Sequence, residues 1–308
     1  MRRYILSAVI VATVLAAGCV RVSEDFSLTR PWTDYQRVEV LSRNGPVEVR
    51  SAEVAEVEIT GRKHATGATL GAARENLARL TIDTAPHPQH ADTLVIALTV
   101  PEDLRTTDVG ARIIVRVPQR VAASATTSNG SIRLEQLGGP IQARTSNGSV
   151  RIAGVSGPVE ARTSNGSVRV AEVATAATLE TSNGRIDAEN IGSDLIGETS
   201  NGSIHATGVR GAQCRLTTSN GRIDLTAEPG VSAIELRSSN GSIHAAVPRD
   251  LAADVRLRTS NGRVRMNMPV TVVSTGDLAR SRLAGALNGG GGKLSAETSN
   301  GSITIDPR

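Results

Sequence analysis

Four residues after each of a series of regularly spaced asparagines stands a column reading Arg133, Arg151, Arg169, Asp187, His205, Asp224, His244, Arg265 and Thr304. Its middle members alternate carboxylate and imidazole, two ligand types that take a divalent metal such as zinc. If equivalent residues stack, Asp187, His205, Asp224 and His244 form one vertical file. No third column of ligands accompanies them. The preferred reading is therefore a ladder of opposite charges between neighbouring strands, with no metal assigned and these four residues kept as candidates.

A second constellation is cationic. Arg144, Arg151, Arg162 and Arg169 recur in two successive units and could meet lipid phosphates or an anionic polymer. Glu135, Glu160 and Glu172 lie nearby in sequence, which favours a solvated face of mixed charge.

Catalytic chemistry finds no foothold. There is no Gly-x-Ser-x-Gly elbow, and Gly292-Lys293-Leu294 lacks the Ser or Thr that must follow the lysine of a phosphate loop. Equivalent turns, many times repeated, offer no unique strained site. His64, His87 and His90 are expected on solvated loops. No enzyme activity and no cofactor are expected.

These columns hang on a repeated tetrapeptide, Ser-Asn-Gly preceded by Thr or Ser, with asparagines at Asn129, Asn147, Asn165, Asn183, Asn201, Asn220, Asn240, Asn261 and Asn300. The first four gaps are 18 residues and the later ones 19, 20, 21 and 39. Self-similarity at such a period marks a stacked array. Four residues before each asparagine the side chain is small or aliphatic, from Ala125 to Ala296, and three after it is Ile or Val, from Ile132 to Ile303. Polar residues lie between, the period-two alternation of strands buried on one face. Each unit thus holds two short strands. The Asn-Gly corner is expected to use residues that tolerate positive φ.

Two architectures fit. In a β-solenoid each unit is one coil of about 18 residues, equivalent residues stack at about 4.8 Å, and the asparagines form a buried or half-buried ladder. In an antiparallel β-meander each Asn-Gly closes a hairpin. Hairpins need only Asn and Gly, whereas Thr and Ser recur as well, and stacking of like on like explains that surplus. An all-β solenoid is the fold expected, with the meander as the alternative.

The chain opens with Arg2 and Arg3, runs uncharged from Tyr4 to Ala17, and reaches Leu15-Ala16-Ala17-Gly18-Cys19. The charged start and short apolar stretch read as a signal peptide, too short for a comfortable membrane span. The small residues before Cys19 resemble the lipobox of bacterial lipoproteins. That resemblance implies cleavage before Cys19, acylation of this residue, and a mature protein held on a membrane by several acyl chains. Val20 where an inner-membrane retention signal would place Asp leans the location towards the outer membrane. Cys214, in a column with Val159, Leu195 and Ile234, is expected to be a small buried hydrophobe.

Formal net charge is +4, and without Arg2 and Arg3 the remaining 32 basic and 30 acidic residues leave +2. Aromatic residues are confined to Tyr4, Phe26, Trp32 and Tyr35. Near-neutrality and the lack of stacking platforms together exclude nucleic acid as a partner. Six units match the glycosylation sequon Asn-Gly-Ser, but beside a bacterial lipobox the asparagine serves the corner. The calcium-binding nonapeptide repeat needs Asp in its turns, and these have none.

The chain divides into a signal peptide at residues 1–18, a lipid-anchored tether at 19–35, an N-terminal β region with a short helix near 70–80 that caps the stack at 36–120, and the repeat solenoid at 121–308 with an irregular insertion at 268–292. Asn44-Gly45 looks like a degenerate first corner. The segment Asp92-Thr93-Leu94-Val95-Ile96, the run from Ile113 to Pro118 and the tandem Thr-Ser-Asn-Gly-Ser-Ile units resemble the bacterial β-strand-repeat, adhesin-like family called domain of unknown function 4097. The resemblance spans residues 36–308 and implies a solenoid-like envelope protein without an assigned catalytic residue. The expectation is a structural scaffold or adhesin-like surface whose partner is another envelope protein or a surface polymer. The alternative is a ligand-binding or signal-sensing module that uses the outward Arg or Asp/His columns.

Overall fold

The structure is a computed structural model that describes residues 11–14, 19–33, 35–118, 121–272 and 280–308. Apart from Val11–Val14, the expected signal peptide lies outside the described residues. The chain forms two compact units, Met1–Arg151 and Ile152–Arg308. Each is all-β apart from one short helix and a single helical turn in the first.

In the first unit the strands are β1 (Val11–Val14), β2 (Val20–Pro31), β3 (Arg37–Leu41), β4 (Val47–Ser51), β5 (Glu56–Gly67), β6 (Thr81–Pro86), β7 (Thr93–Thr99) and β8 (Val109–Val117), with helix α1 (Leu70–Ala78) after β5. Later strands are named by the asparagine of their coil. One sheet runs β1-β2-β5-β8-β4 to Ile132–Glu135, and the other runs β6-β7-β3 to Ala122–Thr126 and Ile141–Arg144. The Asn44 coil, made by β3 and β4, therefore lies between the coil of β7 and β8 and the Asn129 coil, all in parallel register.

Residues 20–31, read from sequence as a polar tether, form a strand paired antiparallel with β5 along its whole length. Within that pairing Phe26 faces Gly61, where a Cβ would fall on the Arg112 carbonyl and crowd the Phe26 ring. Helix α1 starts at Thr69, whose hydroxyl accepts a hydrogen bond from Ala72 N at 3.2 Å. It is anchored by the buried Ala73 and Leu77.

In the second unit each coil contributes one strand to each of two sheets. The Asn183 coil, for example, supplies Ala177–Thr181 and Ile186–Ile191. Neighbouring coils pair parallel and in register, so Leu179 meets Gly197 and Ile186 meets Ile204. The antiparallel meander is thus not formed within the repeats. Alternation in Leu195–Thr199 is strict, with residues 195, 197 and 199 buried and 196 and 198 exposed. The interior is aliphatic, with Leu179, Ile186, Ile204, Ile223 and Leu236 fully covered, each worth about 1.5–3 kcal/mol of burial.

The order of coils departs from the order of sequence. Gly292–Thr298 inserts between Ala233–Ser238 and Ala253–Thr259, and Ile303–Pro307 inserts between Ile243–Val247 and Val264–Met266. The last repeat is therefore an inner coil, and the Asn261 coil lies outside it. Beyond Ala253–Thr259, Arg282–Leu287 pairs antiparallel, and Thr271–Val272 pairs antiparallel with it in turn as the outermost strand. The insertion expected at 268–292 therefore contains an edge strand.

The left-handed corner also differs from expectation. None of the glycines of the nine Ser-Asn-Gly units has positive φ; in the first five units a left-handed residue sits seven after the asparagine, at Gln136, Gly154, Glu172, Asn190 and Gly208, with φ of 56, 67, 55, 54 and 69°.

Candidate functional site

The Thr-Ser-Asn-Gly corner is where the coils are joined most densely. The inward Thr is buried, and its hydroxyl donates to the glycine carbonyl of the preceding coil, as Thr181 Oγ1 does to Gly166 O at 2.9 Å and Thr199 to Gly184 O at 3.0 Å. Ser238 does the same to Gly221 O at 2.9 Å, which explains why Ser replaces Thr there. The asparagine N–H donates to the serine carbonyl one coil back, as Asn201 N does to Ser182 O at 2.9 Å. Glycine is required by close approach: a Cβ on Gly184 would fall on Gly166 O, far inside van der Waals contact.

The asparagine side chains form a ladder within each unit. In the first, Asn147 donates to Asn129 at 2.8 Å, and Asn129 donates to Asn44 at 2.7 Å. Asn44 in turn donates to Val109 O at 3.0 Å. In the second, donation runs from Asn183 to Asn165, Asn201 to Asn183, Asn220 to Asn201, Asn240 to Asn220, Asn300 to Asn240 and Asn261 to Asn300, at 2.7–2.8 Å throughout. All nine repeat asparagines are solvent-exposed, so the ladder runs along the surface corner of the coil. The interior expected for it is taken by the Thr methyl and the aliphatic columns.

Asp187, His205, Asp224 and His244 do stand in one register file, followed by Thr304 and Arg265. The ends of the file are engaged. Asp187 pairs with Arg169 at 3.2 Å and Arg185 at 2.6 Å. His244 Nε2 lies 2.8 Å from Asp306 Oδ2, and its Nδ1 lies 4.0 Å from Asp224. The Asp306 carboxyl is held below its ordinary range by its hydrogen bond from Asn267 and then by His244. Among the described residues no group of three or more His, Cys, Asp or Glu is placed to hold a metal. The file has the form of a charge ladder.

The four arginines fall in different units, Arg144 and Arg151 in the first and Arg162 and Arg169 in the second. Arg162 lies between Glu160 at 3.2 Å and Glu180 at 3.0 Å. With Arg169 on Asp187, the second pair is neutralised locally.

Cys19 is exposed and Cys214 buried. Burial pushes the Cys214 thiol up to about 12, which leaves it unreactive at neutral pH. His64 is half-buried in β5 against Asp108 at 3.6 Å, where a solvated loop was expected. His87 and His90 stack at 4.9 Å between ring centroids. Among the described residues no helix is long and apolar enough to cross a membrane.

Two features escaped the sequence. Trp32 and Tyr35, with ring centroids 5.7 Å apart, line an open groove of about 530 Å³ beside Asp92 and Pro140; the scarcity of aromatics argued against such a gathering. Arg258 and Arg282 face each other across two strands, and the second of them lies in the segment read as irregular.

The family model described as Toastrack DUF4097 matches residues 35–306. No curated protein matches the chain. Among crystal structures, a candidate adhesin of Bacteroides fragilis is 13% identical, with 91% of this chain and 96% of that one covered, at a TM-score of 0.41. A candidate adhesin of Parabacteroides distasonis is 11% identical over 92% and 97% at 0.39. A candidate cell adhesion protein of Clostridium sporogenes is 8% identical over 93% and 100% at 0.29. Likeness at this level carries no argument about activity.

Proposed function

The chain belongs to the Toastrack DUF4097 family, and from that premise we propose that it is a non-catalytic, lipid-anchored cell-envelope protein whose β-solenoid is a scaffold with an adhesin-like contact surface. The observation that carries this reading is the division of labour within the repeat. The positions that recur from coil to coil, Thr, Asn, Gly and the inward aliphatics, are spent on stacking, as Thr181, Asn183 and Gly184 illustrate. The outward columns change from coil to coil, so specificity belongs to them. Their partner is another envelope protein or a surface polymer.

Anchoring is assigned to Cys19, which follows the lipobox-like Leu15-Ala16-Ala17-Gly18 and is exposed at the start of β2. Acyl chains there would leave the aliphatic interior undisturbed, and several of them hold a protein stably on a bilayer.

The test is metabolic labelling of the full chain with a clickable fatty acid, followed by membrane fractionation. Label in the membrane fraction that disappears on Cys19→Ala supports anchoring. An unlabelled wild-type chain in the soluble fraction overturns it. Cross-linking on intact cells then reports the contact surface, and a cross-linking pattern unchanged by charge reversals in the outward columns would overturn that part.

A further inference from the structure

Arg258 and Arg282 are direct cross-strand partners on the antiparallel strands Ala253–Thr259 and Arg282–Leu287. Because the N–H of Thr259 donates to Ser281 O, the next pair along lacks mutual backbone hydrogen bonds. In such a pair the Cα atoms approach to about 4.5 Å and the side chains are closest. Like charges so placed repel. Arg256 projects from the same face two residues earlier, and its cross-strand partner is Ala284. All three arginines are exposed.

The carboxylates of this face do not balance them. Glu297 stands in register with Arg258 on its other side, but it is flanked by Arg237 as well. The row Arg282, Arg258, Glu297, Arg237 thus sets three guanidiniums against one carboxylate. Asp254 is in register with Lys293, and Glu235 is shared by Arg215, Arg237 and Lys293. Among the described residues no ion pair reaches Arg256, Arg258 or Arg282.

We propose that Arg256, Arg258 and Arg282 form a binding site for a phosphate-class oxyanion. Each guanidinium presents a planar fork of donors that matches such an anion. Ser295, in register with Arg256 on the neighbouring strand, adds a hydroxyl donor. A bound anion removes the repulsion between Arg258 and Arg282, so occupancy and stability are linked. Arg162 and Arg169, with acids at hand, have no such need. The site goes beyond the contact-surface reading and stands whether or not Cys19 is acylated.

The test titrates the full chain with inorganic phosphate and, separately, with the phosphodiester glycerophosphoglycerol. Sodium chloride at matched ionic strength is the control, and calorimetry and melting temperature are the readouts. Saturable binding with a rise in Tm is expected. Arg258→Ala and Arg282→Ala should each weaken it about tenfold or more, while Arg162→Ala leaves it unchanged. Arg282→Glu, which gives Arg258 an acid partner, should raise the Tm of the unliganded protein and abolish the phosphate shift. That variant keeps the test readable if an alanine variant fails to fold. Binding of both anions supports a site for free phosphate groups, and binding of the diester alone supports a polymer-borne one. No shift beyond chloride for either anion, or a shift that Arg282→Glu retains, overturns the proposal. Neither failure bears on fatty-acid labelling of Cys19.

Discussion

Asn300 donates its side-chain amide to Oδ1 of Asn240 at 2.7 Å, across 60 residues of chain. It accepts an equivalent bond from Asn261, which precedes it in sequence by 39 residues. The final repeat is thereby held on both sides by coils that precede it in the chain.

Truncation after Gly291 should consequently remove an inner coil. The buried Leu294, Ile303 and Ile305 together represent about 5–9 kcal/mol of burial, comparable to the whole stability of a domain. The expected outcome is loss of the cooperative melt of the second unit by circular dichroism. A truncated chain melting within a few degrees of the intact one would contradict the interleaved order.

Two neighbouring substitutions should separate the ladder from the close approach of backbones. Asn183→Ala removes the bond donated to Asn165 and the one accepted from Asn201. Because these amides are solvent-exposed, the loss should be about 1–2 kcal/mol. Gly184→Ala drives a Cβ into Gly166 O and should cost about 4 kcal/mol or more. Melting temperatures in the reverse order would show that the asparagine, and not the glycine, sets the coil spacing.

His64 should make stability depend on pH near neutrality. Burial, and then the charge of Arg21, hold its pKa below the ordinary value, outweighing the opposite pull of Asp108. Protons therefore bind more readily to the unfolded chain. The stability is fully present above the unfolded pKa of about 6.5 and is lost as pH falls below it towards the lower folded value. Between about pH 7.5 and 5 the wild-type Tm should drop more steeply than that of His64→Gln. Parallel curves would rule the histidine out.

Cys214, with its thiol pushed up to about 12 by burial, should ignore a thiol reagent in the native protein and react in denaturant. If Cys19 carries lipid, unfolded mature protein should yield one reactive thiol per chain. Two would contradict acylation, and prompt native labelling at Cys214 would contradict the packing.

The repeated corner was legible because every coil meets the same neighbour, so selection for one environment is written nine times at the inward and corner positions. The Asp and His file was legible for the same reason, since register follows from spacing once coils stack. The left-handed corner was not, because Gln136, Glu172 and Asn190 share a backbone angle without sharing chemistry. The buried surroundings of His64 were hidden by the long-range pairing of β5 with β2 and β8. Likewise, nothing in the spacing of Asn261 and Asn300 says which lies outermost, because the order depends on where the intervening chain crosses. Arg282 could be placed opposite Arg258 only once that order was known.

From Asn165 to Asn240 each coil offers its neighbour the same set of contacts: a glycine carbonyl, an amide oxygen, a serine carbonyl and an aliphatic row. The corner contacts are therefore interchangeable along this stretch, whereas the inward column is matched locally, Leu216 packing where Gly197 has no side chain. A repeat duplicated or lost in this stretch would keep every corner contact and need adjustment only in the inward column, while the interleaved coils on either side of Asn300 stay as they are. A gene coding for such a chain can change the extent of the outward file in steps of one strand spacing, about 4.8 Å. Copy number thereby becomes a dimension of the protein that the corner contacts leave open.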